Sequence, residues 1–382
     1  MSTVHHFNEV LYRLNVHLPI EDDLLREAFF EVLNNPDTVT RYIQLASLLR
    51  SLMPIASASN IVTLLKVAQQ LDHIEERKVQ IALSTGKKVI GVAGSGKKGF
   101  KTINISTPSC LVAATAGAYI AKNVSHSTSS YLGSSDFLAY VGANLQTPVS
   151  EMVDILKETG FGAFSIENLA PKFDNIYGGL FGAPHVLSFG LAAALSPFAY
   201  DHILYGLSHP NTLLSAEVLC GIGIQNGLVV ASSSDGIHYI DEMCSIGESY
   251  ISEFKVQLVV DKSSIFNAQE RLSLPSYSMN QLREGKTYEA HVHDILRVLI
   301  GKGDKAQEDT IALNAGAILY LSGIVSTIEK GYFVAKSVIK EGAAFVKLRS
   351  FIKQTGGNVE KLDSIQKITY HESYYISKAK TA

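Results

Sequence analysis

From Lys87 onward, short apolar runs suited to strands alternate with longer runs of helical period, and this alternation limits the possible folds more than any other feature. Val89–Val92, His202–Gly206, Gly227–Ala231 and Phe254–Val260 read as strands. Leu213–Gly221, Glu289–Leu299, Asp309–Ser322 and Ile324–Lys340 read as helices. Helical crossovers return successive strands in parallel, so an α/β fold with a mostly parallel central sheet flanked by helices is expected. The N-terminal part differs. Tyr42, Leu45, Ala46 and Leu49 recur at i, i+3, i+4, i+7, as do Ile61, Leu64, Leu65 and Ala68, with Pro36 and Pro54 as punctuation. This predicts a small helical domain over residues 1–85 and a large α/β domain over 86–382. Residues 151–190, with Gly178, Gly179 and Gly182, read as less regular: a crossing between lobes or a lid, part of it packing on the helical domain.

The length of 382 residues allows two lobes and a large core, and 46% hydrophobic with 18% charged residues is ordinary for a globular protein. A net charge of −3 gives no general drive toward nucleic acid or anionic membrane. Cys110, Cys220 and Cys244 sit in apolar surroundings without metal-site spacing, which fits reduced thiols in a cytoplasmic protein. The N-terminus lacks the basic and apolar regions of a signal peptide. The longest apolar stretch, Cys110–Ala121, is too short to span a bilayer.

The densest chemistry lies between Val89 and Leu145. Gly91-Val92-Ala93-Gly94-Ser95-Gly96-Lys97 follows most of the P-loop pattern, but Lys98 stands where a magnesium-ligating hydroxyl belongs. Gly99 follows where a P-loop is already helical. A nucleotide-hydrolysing P-loop is therefore disfavoured, while a Gly-rich turn that brings backbone amides to a phosphate is retained. Thr107-Pro108-Ser109 is a helix start, with Ser106 or Thr107 as N-cap and Pro108 in the first turn. That helix, read to about Ala121, is apolar all round and so buried; its N-terminus suits an anion. Lys122 at its far end would reach a second anionic group. A capped core helix with a solvated lysine explains this stretch equally well. Asp241-Glu242 follows a strand and the loop Ser232-Ser233-Ser234-Asp235-Gly236. Adjacent carboxylates there suit Mg²⁺, a hard ion that bridges to phosphates, although such a pair alone is more often solvated surface. His291-Val292-His293-Asp294 looks like a metal site, but residues i and i+2 of a helix face different ways.

Taken together, these residues resemble anthranilate phosphoribosyltransferase and its relatives over nearly the whole chain. The family's Gly-Thr-Gly-Gly-Asp turn and Thr-Phe-Asn-Ile-Ser-Thr run correspond to Gly91–Ser95 and Thr102-Ile103-Asn104-Ile105-Ser106-Thr107. Its Val-Ala-Lys-His-Gly-Asn-Arg resembles Ile120–His126, and its Ser-Ser-x-x-Gly-Ser-Ala-Asp matches Ser129–Asp136. Gly206-Leu207-Ser208-His209-Pro210, Asp235-Gly236 with Asp241-Glu242, and Asn314-Ala315 continue the likeness. The resemblance implies phosphoribosyl pyrophosphate as cosubstrate, Mg²⁺ as cofactor and a homodimer. It implies phosphate contacts from Gly91, Gly94, Asn104, Ser106, Thr107, Lys122, Ser129 and Ser130, and metal contacts from Ser106, Asp241 and Glu242. Lys122, Asp241 and Glu242 would stabilise the leaving group, and Asn123, Ser125, Tyr177 and His185 would face the acceptor.

The departures bear on specificity. Ser95 replaces the Asp that ends the turn, and Lys97-Lys98-Gly99-Phe100-Lys101 expands the loop. The arginines of the family's later Val-Arg-x-x-Leu-Gly-x-Arg segment are absent around Ile176–Leu180 and His185–Phe189. Without an arginine fork to read a carboxylate, an aromatic amine or ring nitrogen other than plain anthranilate is the expected acceptor. His126 and His185 are the candidate bases. Two other readings stand beside this one: a nucleoside phosphorylase on the same scaffold, and a non-catalytic paralogue that binds nucleic acid or protein through Lys97, Lys98 and Lys101.

Overall fold

The structure, a computed structural model, describes residues 5–84, 86–127, 132–255, 258–259 and 263–381. Four helices open the chain: α1 (His6–Asn15), α2 (Asp22–Leu33), α3 (Thr38–Leu52) and α4 (Ala58–Leu71). Asp37 and Ser57 cap α3 and α4 by accepting the amides of Thr40 and Asn60. The buried stripe of α4 includes Ile61, Leu64, Leu65 and Ala68 as the period predicts. On α3 it is Leu45, Leu48, Leu49 and Leu52; Ala46 faces solvent, so the inward stripe lies slightly to one side of the expected one.

The main sheet contains β1 (Val89–Gly94), β2 (Tyr119–Val124), β3 (Phe161–Ser165), β4 (His202–Gly206), β5 (Gly227–Ser233), β6 (Glu248–Lys255) and β7 (Leu258–Val259). Their spatial order is β7-β6-β5-β4-β1-β2-β3. The five strands from β3 to β5 in that order run parallel, β6 pairs antiparallel with β5, and β7 pairs antiparallel with β6. In register, Ile90 lies beside Ile120 on one side and His202 on the other.

Side-chain alternation divides the core. Ile203, Tyr205, Val229 and Phe254 share an apolar cluster with Phe29, Leu49, Ile61 and Leu65 of the helical part. Leu204, Leu228 and Val230 pack instead with α5 (Ser106–Thr115) and helix 305–321. Gly221 lets helix 212–221 approach α4: a Cβ there would come within 2.6 Å of Val62 Cγ2. Asp72, just after α4, accepts the amides of Lys172 and Phe173 at 2.9 and 2.8 Å and so caps helix 171–177.

Three expectations are corrected. The helix read from Thr107 to Ala121 ends at Thr115, because Gly117 turns the chain with φ +103° into β2. Lys122 is therefore a mid-strand residue and not a helix-terminal cation. Uniformly apolar residues hid the switch, since neither period shows in such a run. Residues 151–190 are more regular than predicted: helix 149–159 ends at Gly160, with φ +80°, and β3 follows as an edge strand of the main sheet. The strand read at Phe254–Val260 lies earlier, at Glu248–Lys255, with Leu258–Val259 pairing back on it. Its buried Ser249 and Ser252 are satisfied by hydroxyl hydrogen bonds, so polar residues occupy core-facing positions and blur the pattern.

Candidate functional site

β1 and β4 are adjacent, but the chain leaves β1 for β2 on the opposite side, so the strand order reverses between them. In parallel α/β sheets a crevice forms beyond the carboxyl ends of strands at such a point. Here it is a cavity of about 240 Å³ whose lining includes Gly94, Asn104, Ser106, Lys122, Asp241 and Glu242. Helix start, lysine and acidic doublet thus meet in one space. Lys97, Lys98, Asn123, Ser125 and Tyr177 also line it.

The Gly-rich turn works differently from expectation. The Ser95 amide donates to Gly206 O at 2.8 Å, and the Gly96 amide donates to Asp241 Oδ2 at 2.8 Å. Ser208 fastens the turn through its amide to Ser95 Oγ and through its hydroxyl to Gly96 O. These turn amides are already paired within the protein. Gly94 matters because a Cβ there would lie 2.6 Å from Asp241 Oδ2, and a Cβ on Gly206 would lie 1.8 Å from Asp241 O. Gly91 is not at the cavity: it is buried inside β1, where a Cβ would strike the Tyr200 ring at 2.6 Å.

At the start of α5 the N-cap position is Ile105, and neither Ser106 nor Thr107 caps the helix. Asn104 Oδ1 accepts the Thr107 amide at 3.2 Å, which leaves the Ser106 hydroxyl at the cavity. Thr107 is fully buried with Oγ1 unpartnered, behind Ser106 rather than among the cavity-lining residues. The Asn104 amide donates to His291 Nε2 at 2.8 Å, so a histidine far along the chain holds this turn. His293 faces elsewhere, to Thr369 Oγ1, as the i, i+2 spacing requires. Among the described residues there is no group of three metal-ligating His, Cys, Asp or Glu side chains. Ser129 and Ser130 lie outside the described residues.

Lys122 is 3% exposed, and burial pushes its pKa down against the pull of Cys110, Glu242 and Asp241. Asp241 and Glu242 are buried too. Asp241 Oδ1 and Glu242 Oε2 have no hydrogen-bond partner, and such orphaned oxygens in a buried site suit a hard cation. Burial first, then the charge of Asp241, pushes Glu242 up to about 8, with Lys98 opposing. Burial would lower the Lys98 pKa, but Glu242 and Asp241 outweigh it and hold it raised. The doublet loop is anchored from below: Asn314 accepts the Met243 amide at 3.0 Å and donates to Met243 O at 2.7 Å. Ser232 Oγ donates to Glu242 O.

The other end of the cavity is aromatic and self-satisfied. The Tyr177 ring stacks on Phe173, with centroids 5.1 Å apart. His185 Nδ1 accepts the Leu187 amide, so Nε2 carries the proton and donates to Tyr177 Oη at 2.7 Å. Burial, then Lys97, pushes His185 down to about 3, which makes it a neutral prop behind Tyr177 rather than a cavity residue or a base. His126 bonds Asp136 and does not line the cavity. Asn123 lines the cavity, but its amide donates to Ala192 O and accepts from Tyr200 Oη. Lys97 Nζ lies 5.4 Å from the Tyr177 ring centroid, and burial lowers its pKa to about 8. Lys97 and Lys98 thus face the cavity and not an open surface. The sequence shows Lys98 only as the misfit of the P-loop pattern and His291 only as part of an apparent metal motif, not in the roles they take here, and it carries no signal for Tyr200.

Residues 86–345 match the model of the glycosyl transferase family a/b domain. The chain is 30% identical over 296 residues to an anthranilate phosphoribosyltransferase of Polynucleobacter necessarius, covering 76% of this chain and 83% of that one. It is 31% identical over 270 residues to the enzyme of that name from Shewanella amazonensis, covering 68% and 74%. In fold it is similar to anthranilate phosphoribosyltransferase from Thermus thermophilus, with a TM-score of 0.73 at 22% identity over 92% of this chain and 99% of that one. The Saccharomyces cerevisiae enzyme, solved in complex with phosphoribosyl pyrophosphate and Mg, gives a TM-score of 0.73 at 17% identity, with the same coverage. No helix among the described residues is long and apolar enough to cross a membrane.

Proposed function

This chain belongs to the anthranilate phosphoribosyltransferase family, and from that premise we propose that it moves the ribose-5-phosphate of phosphoribosyl pyrophosphate to an aromatic amine or ring nitrogen other than plain anthranilate. The observation that carries this reading is one cavity lined by Ser106, Lys122, Asp241 and Glu242, with an aromatic wall at its other end. The α/β part over 86–382 would hold the phosphates. The segment that carries Tyr177, which packs on the helical part over 1–85, would hold the acceptor.

Asp241, Glu242 and Ser106 would hold Mg²⁺, which supplies positive charge to the departing pyrophosphate. Lys122 and the α5 N-terminus add fixed positive potential on the same side, and little reorganises as charge builds there. The ribose C1–oxygen bond breaks with its electron pair leaving on pyrophosphate, and the acceptor nitrogen forms the new bond to C1 and loses a proton. The ribose becomes electron-poor in between, so a weak nucleophile suffices if it is well placed. Tyr177 and Phe173 offer it a flat apolar face. Among the described residues no arginine lines the cavity, which supports an acceptor other than anthranilate. Exposed Phe30, Val39 and Ile43 on the helical part support homodimer formation.

The test incubates the protein with phosphoribosyl pyrophosphate, Mg²⁺ and a panel of aryl amines and nitrogen heterocycles that includes anthranilate. Pyrophosphate release and adduct mass are the readouts. An adduct formed faster with another acceptor than with anthranilate is expected. Anthranilate as the preferred acceptor would overturn the specificity, and no heat of phosphoribosyl pyrophosphate binding would overturn the whole reading.

A further inference from the structure

The acidic doublet already has a cation. Lys98 Nζ lies 2.7 Å from Glu242 Oε1 and 3.7 Å from Asp241 Oδ1, and it donates to Thr102 Oγ1 at 2.9 Å. The Lys98 side chain is 18% exposed, against 8% and 7% for the two carboxylates. The backbone is shaped to put it there. Gly96 and Lys97 both take left-handed φ, +61° and +56°. Only glycine adopts that region freely, so Lys97 is held there by its surroundings. Gly99 then donates its amide to Tyr239 O at 2.8 Å, and a Cβ on Gly99 would lie 2.9 Å from His238 Cα. The expanded loop is thus pinned at both ends to the segment that carries the doublet, with Lys98 between the two pins.

Building on the phosphoribosyltransferase reading, we propose that Lys98 is a built-in counter-cation that keeps divalent metal off Asp241 and Glu242 in the ligand-free protein, so that metal enters only with a polyphosphate that draws the ammonium away. A divalent ion on these carboxylates would sit beside the ammonium, and like charges repel strongly in a poorly solvated site. The orphaned Asp241 Oδ1 and Glu242 Oε2 show that one ammonium leaves the doublet's acceptor capacity unfilled. A polyphosphate brings enough negative charge for both cations. The flexible four-carbon stem of lysine lets the ammonium move to it without a shift of the backbone.

The test titrates Mn²⁺ as an oxygen-ligated stand-in for Mg²⁺ into the full-length protein, read by water-proton relaxation enhancement, which reports metal on the slowly tumbling protein. Four arms are compared: parent and Lys98→Met, each with and without inorganic pyrophosphate. Without pyrophosphate, Lys98→Met is expected to bind Mn²⁺ at least about tenfold more tightly than the parent. With pyrophosphate, the parent should approach the variant. Equal affinities of parent and variant without pyrophosphate would overturn the proposal, as would a parent whose affinity pyrophosphate leaves unchanged, or no enhancement in any arm. If Lys98→Met does not fold, Lys98→Gln replaces it, and the two parent arms still decide. Product formation is measured separately: turnover without the Lys98 effect sinks only this inference, and the Lys98 effect without turnover sinks only the transferase reading.

Discussion

At one end of the cleft, Asp241 Oδ1 and Glu242 Oε2 are buried without hydrogen bonds and Lys122 is buried beside them. At the other end, Tyr177 and Asn123 already have their partners in His185, Ala192 and Tyr200. The first end holds buried charge that Lys98 only partly offsets, with acceptor oxygens left over for a ligand. The second end is a finished apolar surface with its polar groups turned inward. The contrast teaches that charge does the gripping at one end and shape does the selecting at the other, so substitutions at the two ends should separate in their effects.

The largest separation is expected from Asp241→Asn and Glu242→Gln, each lowering the rate of pyrophosphate release by about 10²–10³-fold while leaving calorimetric binding of an aromatic ligand intact. Equal loss at both ends would erase the comparison. Gly94→Ala comes next: its Cβ would press on Asp241 Oδ2, and a loss of about tenfold is expected in steady-state turnover with an unchanged fold by circular dichroism. Tyr177→Phe removes the hydroxyl that His185 meets and is expected to raise the KM for the acceptor about fivefold, with the KM for phosphoribosyl pyrophosphate unmoved. The smallest effect is a pH slope. The Lys97 pKa falls from 10.5 in the ordinary side chain to about 8 here because of burial. The cost of its buried charge is therefore fully present below pH 8 and fades as pH rises toward 10.5. Lys97→Met should melt above the parent at pH 7, and that margin should shrink as the pH is raised through this window.

Much of this was legible beforehand because it depends on local chemistry. Strand β4 was read at its observed bounds, since Gly206 and a β-favouring run mark it. That Ser106, Lys122 and the doublet share one cavity is what the family resemblance implies, and not something their spacing alone shows. What stayed hidden depends on contacts between distant residues. His291 reaches Asn104 across 187 positions, and no pattern near either residue announces the pair. The role of Gly94 is likewise invisible until Asp241 is seen behind it. Lys98 was noted as a missing hydroxyl; that it would fill the doublet depends on a loop shape set by Gly96, Lys97 and Gly99 together.

The apolar cluster that joins α4 to one face of the sheet bears on where the polypeptide can be cut. Val62 sits over Gly221 without room for a methyl group, and Leu65 packs beside Gly190. A fragment ended at residue 85 would carry that sticky surface into water, and the remainder would lose the carboxylate of Asp72 from the amides of Lys172 and Phe173. The seam that looks cleanest on paper is thus a poor place to split an expression vector. Neither piece should stay soluble alone, and co-expression of the two halves is the arrangement in which each finds its missing wall.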